Sequence, residues 1–180
     1  EALCGFNLAG PRARDLLSRL TNDDLSNEAF PFLRSRRITV AGTECTALRV
    51  SFTGDLGWEL HCDAGDQVAP YPALIEAGRE IGVAPVGSRA LMSLRLEKGY
   101  GSWGREYSPE YWPQESGLAG LIKMDKEFLN KSAYASVADK APREEMVMFE
   151  VEANGADASG GEPVFLPDGT PAGQVTSGAY

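Results

Sequence analysis

The run FTGDLGWELHC, residues 52–62, sets a polar turn directly against an alternating strand, and that junction constrains the chain more than any other stretch. Ser51, Thr53, Gly54, Asp55 and Gly57 make a small turn in which the backbone can bend sharply or lie close to a ligand. Beyond it the side chains alternate, so that Trp58, Leu60 and Cys62 point one way while Glu59 and His61 point the other. With the apolar three on a core, Glu59 stands where a turn meets a strand, a place suited to touching a ligand. His61 is a solitary imidazole with no evident partner and reads as structural. A lone strand carboxylate is more often solvated than functional, so Glu59 needs a second group to make a site.

Arg89 is the candidate for that second group. Helical spacing runs from Ser88 to Lys98, burying Leu91, Met92 and Leu94 or Leu96, and this puts Arg89 in the first turn. A cation there opposes the positive end of the helix dipole by about 0.3–1 kcal/mol. It is tolerated best where an anion neutralises both the cation and the free N–H groups. A carboxylate presents two acceptors in one plane and suits the adjacent donors of a pterin or purine, while a guanidinium fork suits a carboxylate. Together they point to a ligand with a flat, donor-rich ring and an acidic tail.

Taken in order, residues 3–8 read as a short strand and Gly10-Pro11 opens a helix ending near Thr21, with Leu16, Leu17 and Leu20 as its apolar stripe. Arg34, Arg36 and Arg37 precede a strand, Ile38 to Val40, as a solvated strand entry or as a site attracting an anionic tail. Gly42 and Thr43 turn the chain into a second strand, Cys45 to Val50. A helix is expected from Asp66 to Gly82, with Val68, Tyr71, Leu74, Ile75 and Gly78 on one face and Pro70 and Pro72 near its start. Gly99, Gly101 and Gly104 then interrupt the aromatics Tyr100, Trp103, Tyr107, Tyr111 and Trp112, either as the wall of a planar-ligand site or, more often for such composition, as a satellite core. Residues 117–124 read as a buried strand, 130–137 as a short helix and 140–143 as a linker. Strands are expected at 146–151, 163–166 and 173–180, an all-β module joined by glycine-rich and Asp168-Gly169 turns.

A chain of 180 residues, 43% of them hydrophobic, buries one ordinary core with room for a small second module. Its 17 basic and 26 acidic side chains give a net charge of −9, which argues against nucleic acid as a partner. There is no apolar run of about 18 residues, so no membrane span is expected. Cys4, Cys45 and Cys62 are odd in number and set among apolar residues, as reduced thiols in the cytoplasm or mitochondrial matrix would be. One histidine and no Cys-x-x-Cys pair leave no ligand set for zinc. The opening at Glu1, without a methionine, reads as an internal or trimmed fragment.

At this point the motifs carry a resemblance. FTGDLGWEL, GSRALMSLRLEKGYGSWGRE, SGLAGLIKMDKEFLNKSA, GGEPV and GQVTSGAY, in that order, resemble the aminomethyltransferase family, the T-protein of the glycine cleavage system and its relatives. The wording LRLEKGY-x-x-WG-x-E is more similar to the folate-binding C-terminal portions of sarcosine and dimethylglycine dehydrogenases and oxidases. The resemblance implies an α+β fold: a tetrahydrofolate-binding domain over residues 1–138, lacking its N-terminal part, then the start of a small C-terminal β-barrel domain over 144–180. It places the family's pterin-binding glutamate on Glu59, its folate-contacting arginine on Arg89 and an aromatic near the cavity on Trp103. The family's aspartate beside the reacting nitrogen belongs to a segment before residue 1, so no catalytic residue is expected here. Asp55 stands where relatives have glutamate, and Phe52 where they have tyrosine.

The chemistry implied is one-carbon transfer, in which tetrahydrofolate takes a methylene unit from an amine-derived donor. The partners implied are thus a small-molecule folate, that donor, and a contact with a missing N-terminal domain. FAD enters only if an upstream dehydrogenase domain exists, and the fragment alone is expected to be inactive. The alternatives are a non-catalytic folate-fold binding module and a methyltransferase using another one-carbon donor.

Overall fold

The alternation read from residues 57–63 becomes an inner strand. β1 (Leu3–Ala9), β2 (Ser35–Val40), β3 (Thr43–Leu48) and β4 (Gly57–Asp63) form a four-stranded sheet in the order β1-β4-β3-β2, with every pair antiparallel. The computed structural model describes residues 2–179. It divides into two compact units, Glu1–Lys98 and Gly99–Tyr180.

In the first unit one face of the sheet is buried. Leu8, Ile38, Val40, Cys45, Ala47, Trp58, Leu60 and Cys62 meet Leu16 and Leu17 of α1 (Ala13–Leu17), Leu25, Phe30 and Leu74 of α2 (Pro70–Gly78). Burial of each large side chain contributes about 1.5–3 kcal/mol. Phe30 meets Trp58 edge to face at 6.3 Å, and the guanidinium groups of Arg14 and Arg49 each lie 5.8 Å from the indole centroid. The Asn27 carboxamide oxygen accepts from both arginines, at 2.7 and 2.8 Å, and holds the two like charges in place.

The elements differ from expectation in ways the backbone explains. The β2–β3 hairpin turns at Ala41-Gly42, one residue earlier than Gly42-Thr43. Both turn residues have positive φ, 50° and 83°, which matches the twist of a two-residue hairpin and leaves Thr43 paired with Val40. α1 is only five residues long; Leu16 and Leu17 are buried as expected, while Leu20 lies beyond its end and is only partly buried. The helix expected over 66–82 breaks into a 3-10 turn (Ala64–Asp66), α2 and a second 3-10 turn (Arg79–Ile81): Pro70 and Pro72 lack the N–H groups that would extend α2 backwards, and the far end closes at Gly82, which takes a φ of 79°. Val68 is accordingly exposed, while Leu74 and Gly78 are buried. Helix α3 (Ser88–Glu97) forms where expected, with Leu91, Met92, Leu94 and Leu96 half-buried and Arg95 buried.

The second unit has little regular structure: a 3-10 turn (Ala119–Leu121), α4 (Lys131–Ala138) and a hairpin of β5 (Pro163–Phe165) and β6 (Pro171–Gln174). The Asp168 carboxylate accepts from the Thr170 N–H at 2.9 Å, and Gly169 takes a φ of 86°, as the expected turn requires. The strand expected over 173–180 lies earlier, as β6, with residues 175–179 outside any strand and residue 180 outside the described residues, and two expected strands are absent. Residues 117–124 form turns around the 3-10 segment, and residues 146–151 lie alongside no strand, their one ladder-like bond running from the Met146 N–H to the Glu115 carbonyl. An apolar run becomes a strand only where a neighbour supplies hydrogen bonds.

Carboxylates hold this unit together. Glu115 accepts two bonds from the Arg143 side chain, 2.9 and 2.6 Å, and one each from the Arg143 and Trp112 N–H groups, while the guanidinium lies 4.6 Å from the Trp112 ring. Glu106 accepts from the Ser102 N–H at 2.8 Å and the Ser177 hydroxyl at 2.6 Å.

Candidate functional site

The turn before Glu59 is built from its own side chains. The Ser51 and Thr53 hydroxyls lie 2.9 Å apart, and the Gly54 N–H donates to the Ser51 carbonyl at 3.3 Å. Gly54 has a φ of 73°, and Lys98 lies against it so closely that a Cβ would come 2.7 Å from Lys98 Cγ. The Lys98 ammonium pairs with Asp55 at 3.7 Å. At Gly57 a Cβ would stand 2.5 Å from the Leu8 carbonyl oxygen, so glycine is what lets β4 enter the sheet beside β1.

Glu59 and His61 project from the sheet face opposite the core, as their parity requires. Across from Glu59 are Asn7 on β1 and Leu48 on β3; across from His61 are Gly5 and Thr46. Both side chains are half-buried, with 31% and 35% of their surface exposed, and His61 Nε2 lies 3.4 Å from Glu59 Oε2. The imidazole therefore has a partner, contrary to the sequence reading. The signal was available, since residues two apart on a strand share a face.

Arg89 lies in the first turn of α3, exposed to solvent, behind Gly87, which offers no side chain to cap the helix. α3 ends at the Lys98 that covers the turn, so its ten residues at 1.5 Å each set Arg89 roughly 14 Å along the helix axis from that turn. Among the described residues Glu59 and Arg89 share no hydrogen bond or ion pair. Trp103 belongs to the second unit, where it is 88% exposed and meets Tyr107 edge to face at 6.4 Å. Two surface hollows occur elsewhere, one around Glu110, Tyr111, Glu115 and Arg143, the other around Tyr71, Ile75, Arg79 and Pro85; neither takes in Glu59, Arg89 or Trp103.

The three cysteines are free thiols in a row across β1, β4 and β3, with Cys62 directly opposite Cys4 and, one step beyond the Thr46–His61 pair, beside Cys45. Burial pushes the Cys45 thiol up to about 11, with the neighbouring Cys62 adding to the effect. Among the described residues no helix is long and apolar enough to cross a membrane.

A family model described as the GCVT N-terminal domain matches residues 1–126. Human mitochondrial dimethylglycine dehydrogenase is 37% identical over 177 residues, covering 97% of this chain and 20% of that protein. The aminomethyltransferase of Caldanaerobacter subterraneus subsp. tengcongensis is 32% identical over 181 residues, covering 100% of this chain and 48% of that protein. Among solved structures, a chain of the heterotetrameric sarcosine oxidase from Corynebacterium sp. U-96 in complex with pyrrole 2-carboxylate gives a TM-score of 0.41 at 25% identity, over 47% of this chain and 42% of that one. The chain thus spans about a fifth of the length of the dehydrogenase and about half that of the aminomethyltransferase. With more than half of its residues under the family model, the chain belongs to the GCVT family, together with aminomethyltransferases and the dimethylglycine and sarcosine dehydrogenases.

Proposed function

We propose that this chain is the tetrahydrofolate-binding part of a one-carbon transferase, the C-terminal region of a dimethylglycine or sarcosine dehydrogenase-like protein. The observation that carries it is Glu59: a half-buried carboxylate on the open face of an inner strand, directly after a glycine turn, in a stretch that resembles the family's glutamate motif. One oxygen faces His61 and the other has no partner among the described residues, so the carboxylate can still take donors from the edge of a flat ring. Arg89 and the uncapped first turn of α3 offer a guanidinium and backbone N–H groups to an acidic tail. Their distance from the turn fits a ligand that is elongated, with ring and tail at opposite ends. Trp103, 88% exposed in the second unit, is an aromatic side chain open to a ligand contact by family resemblance alone.

When bound, tetrahydrofolate supplies the nitrogen that accepts the one-carbon unit; the residues here hold and orient it. The aspartate that would face that nitrogen is assigned to a preceding segment, and a flavin to a separate dehydrogenase domain that such a segment would lead to. The folate-binding domain is assigned to residues 1–138 and the beginning of a small β-barrel to 144–180. Three free thiols and the mitochondrial names of several relatives support a reducing compartment, the cytoplasm or the mitochondrial matrix.

Titration calorimetry with tetrahydrofolate tests the reading. Glu59→Ala is expected to weaken binding at least about tenfold, since a hydrogen bond to a charged group is worth about 1.5–3 kcal/mol. Arg89→Ala is expected to weaken it less, because that side chain is exposed to solvent and salt. Equal affinity in the wild type and both variants would remove the assignment.

A further inference from the structure

The Glu59–His61 pair carries an inference that rests on the folate reading and goes beyond it. Glu59 Oε2, at 3.4 Å, is the one hydrogen-bond partner His61 has among the described residues. The ring reaches there because residue 5 is glycine: a Cβ at Gly5 would lie 3.3 Å from His61 Nδ1 and 3.4 Å from Cε1, tighter than such contacts normally run. The glycine on β1 thus provides the shelf on which the imidazole lies. Around the pair, β1 contributes Asn7 and β3 contributes Thr46 and Leu48, none of them charged. The charged groups on this face are peripheral: Asp63 on β4, and Glu44 on β3, which is engaged with Arg37 of β2 at 3.6 Å. Among the described residues Glu59 forms no ion pair with a lysine or an arginine.

We propose that His61 is a positioning residue, whose Nε2–H donates to Glu59 Oε2, sets the plane of the carboxylate and leaves Oε1 directed at the ligand. A free carboxylate on a half-exposed strand rotates about its last two bonds, and a bidentate hydrogen bond to a flat ring requires one plane. The neighbouring donor restricts that rotation before the ligand arrives.

The chain has one histidine, so its imidazole signals in a proton spectrum are unambiguous. In the ligand-free full chain, a nuclear Overhauser contact between the imidazole Hε1 and the Gly5 α-protons is expected, and it should weaken in Glu59→Ala as the ring is released. Calorimetry with tetrahydrofolate then reads the function: His61→Leu is expected to bind about five- to tenfold more weakly, and His61→Gln, whose amide can still donate, to recover most of that loss. Gly5→Ala keeps the imidazole but displaces it, and should fall between the two. Wild-type affinity in His61→Leu, or a Gly5 contact indifferent to Glu59→Ala, would overturn the proposal. Absence of folate binding in the wild type overturns the ligand half along with the folate reading, while the Gly5 contact still decides whether Glu59 holds the ring.

Discussion

The two units are stabilised by different physics. Every buried apolar side chain among the described residues lies between Leu8 and Leu74, in the first unit, where sheet and helices close over Trp58. In the second unit the buried side chains are polar, namely Glu106, Glu115 and Ser116, while Val147, Met148, Phe149 and Val151 are exposed. An apolar layer tolerates changes of pH and depends on volume. A set of carboxylates tolerates changes of volume and depends on charge. The lesson is that one chain can carry a region protected by hydrophobic burial beside one whose order is chiefly electrostatic.

The strongest way to break this comparison is Trp58→Ala. Truncating a fully buried aromatic costs about 3–5 kcal/mol, a large share of the stability of a small domain. Hydrogen exchange should show amides of β3 and β4 losing protection, with those around Glu115 little changed. Protection lost equally in both regions would show that the two do not hold themselves separately.

Acid should do the reverse. Burial alone would push Glu106 up, but bonds from the Ser177 hydroxyl and Ser102 N–H outweigh it and hold the carboxyl at about 2. The Arg143 side chain, working against burial, holds Glu115 at about 2 as well. Both values lie below the ordinary 4.5, so the stabilisation is fully present above pH 4.5 and is lost as the pH falls toward 2. Amide protection at Trp112 and Arg143 should therefore fade across that window before that of β4 does. Glu115→Gln should bring the same loss to neutral pH.

A smaller effect tests the turn that presents Glu59. Gly57→Ala should cost about 1–3 kcal/mol by urea denaturation, because the new methyl meets a backbone oxygen that cannot move aside. Gly54→Ala should cost a comparable amount, since a φ of 73° strains any side chain and the new methyl meets Cγ of Lys98, near that residue's backbone.

How much of this was legible depended on whether a feature was local. The parity of residues 58–62 placed three residues in the core and two outside it, and both outcomes held, because alternation is a property of each strand by itself. The same parity puts His61 on one face with Glu59, but a shared face does not by itself state a hydrogen bond, and the 3.4 Å contact comes from the fold. The Glu115–Arg143 clamp spans 28 residues with no periodic signal, and nothing in the sequence joins its ends. Residues 117–124 and 146–151 misled for a related reason: apolar composition states a demand for burial but names no partner strand. For the candidate site, motif likeness singled out Glu59 and Arg89 as candidates, and it was the fold that put a helix length between the second and the turn leading to the first.

The mildest test concerns the thiols, and it separates burial from register. Cys4 and Cys62 are paired across β1 and β4, yet Cys62 and Cys45 are 2% and 1% exposed while Cys4 is only half-buried. Alkylation requires thiolate at the surface, and burial pushes both inner thiols up, Cys45 to about 11. With a maleimide reagent at neutral pH, Cys4 should react first by at least about tenfold, a margin set by exposure and thiolate fraction together. Cys45 and Cys62 should follow only at the rate at which the sheet opens. If all three reacted alike, the sheet would be opening faster than the reagent attacks Cys4, and the apolar layer would not be protecting the first unit as its burial implies.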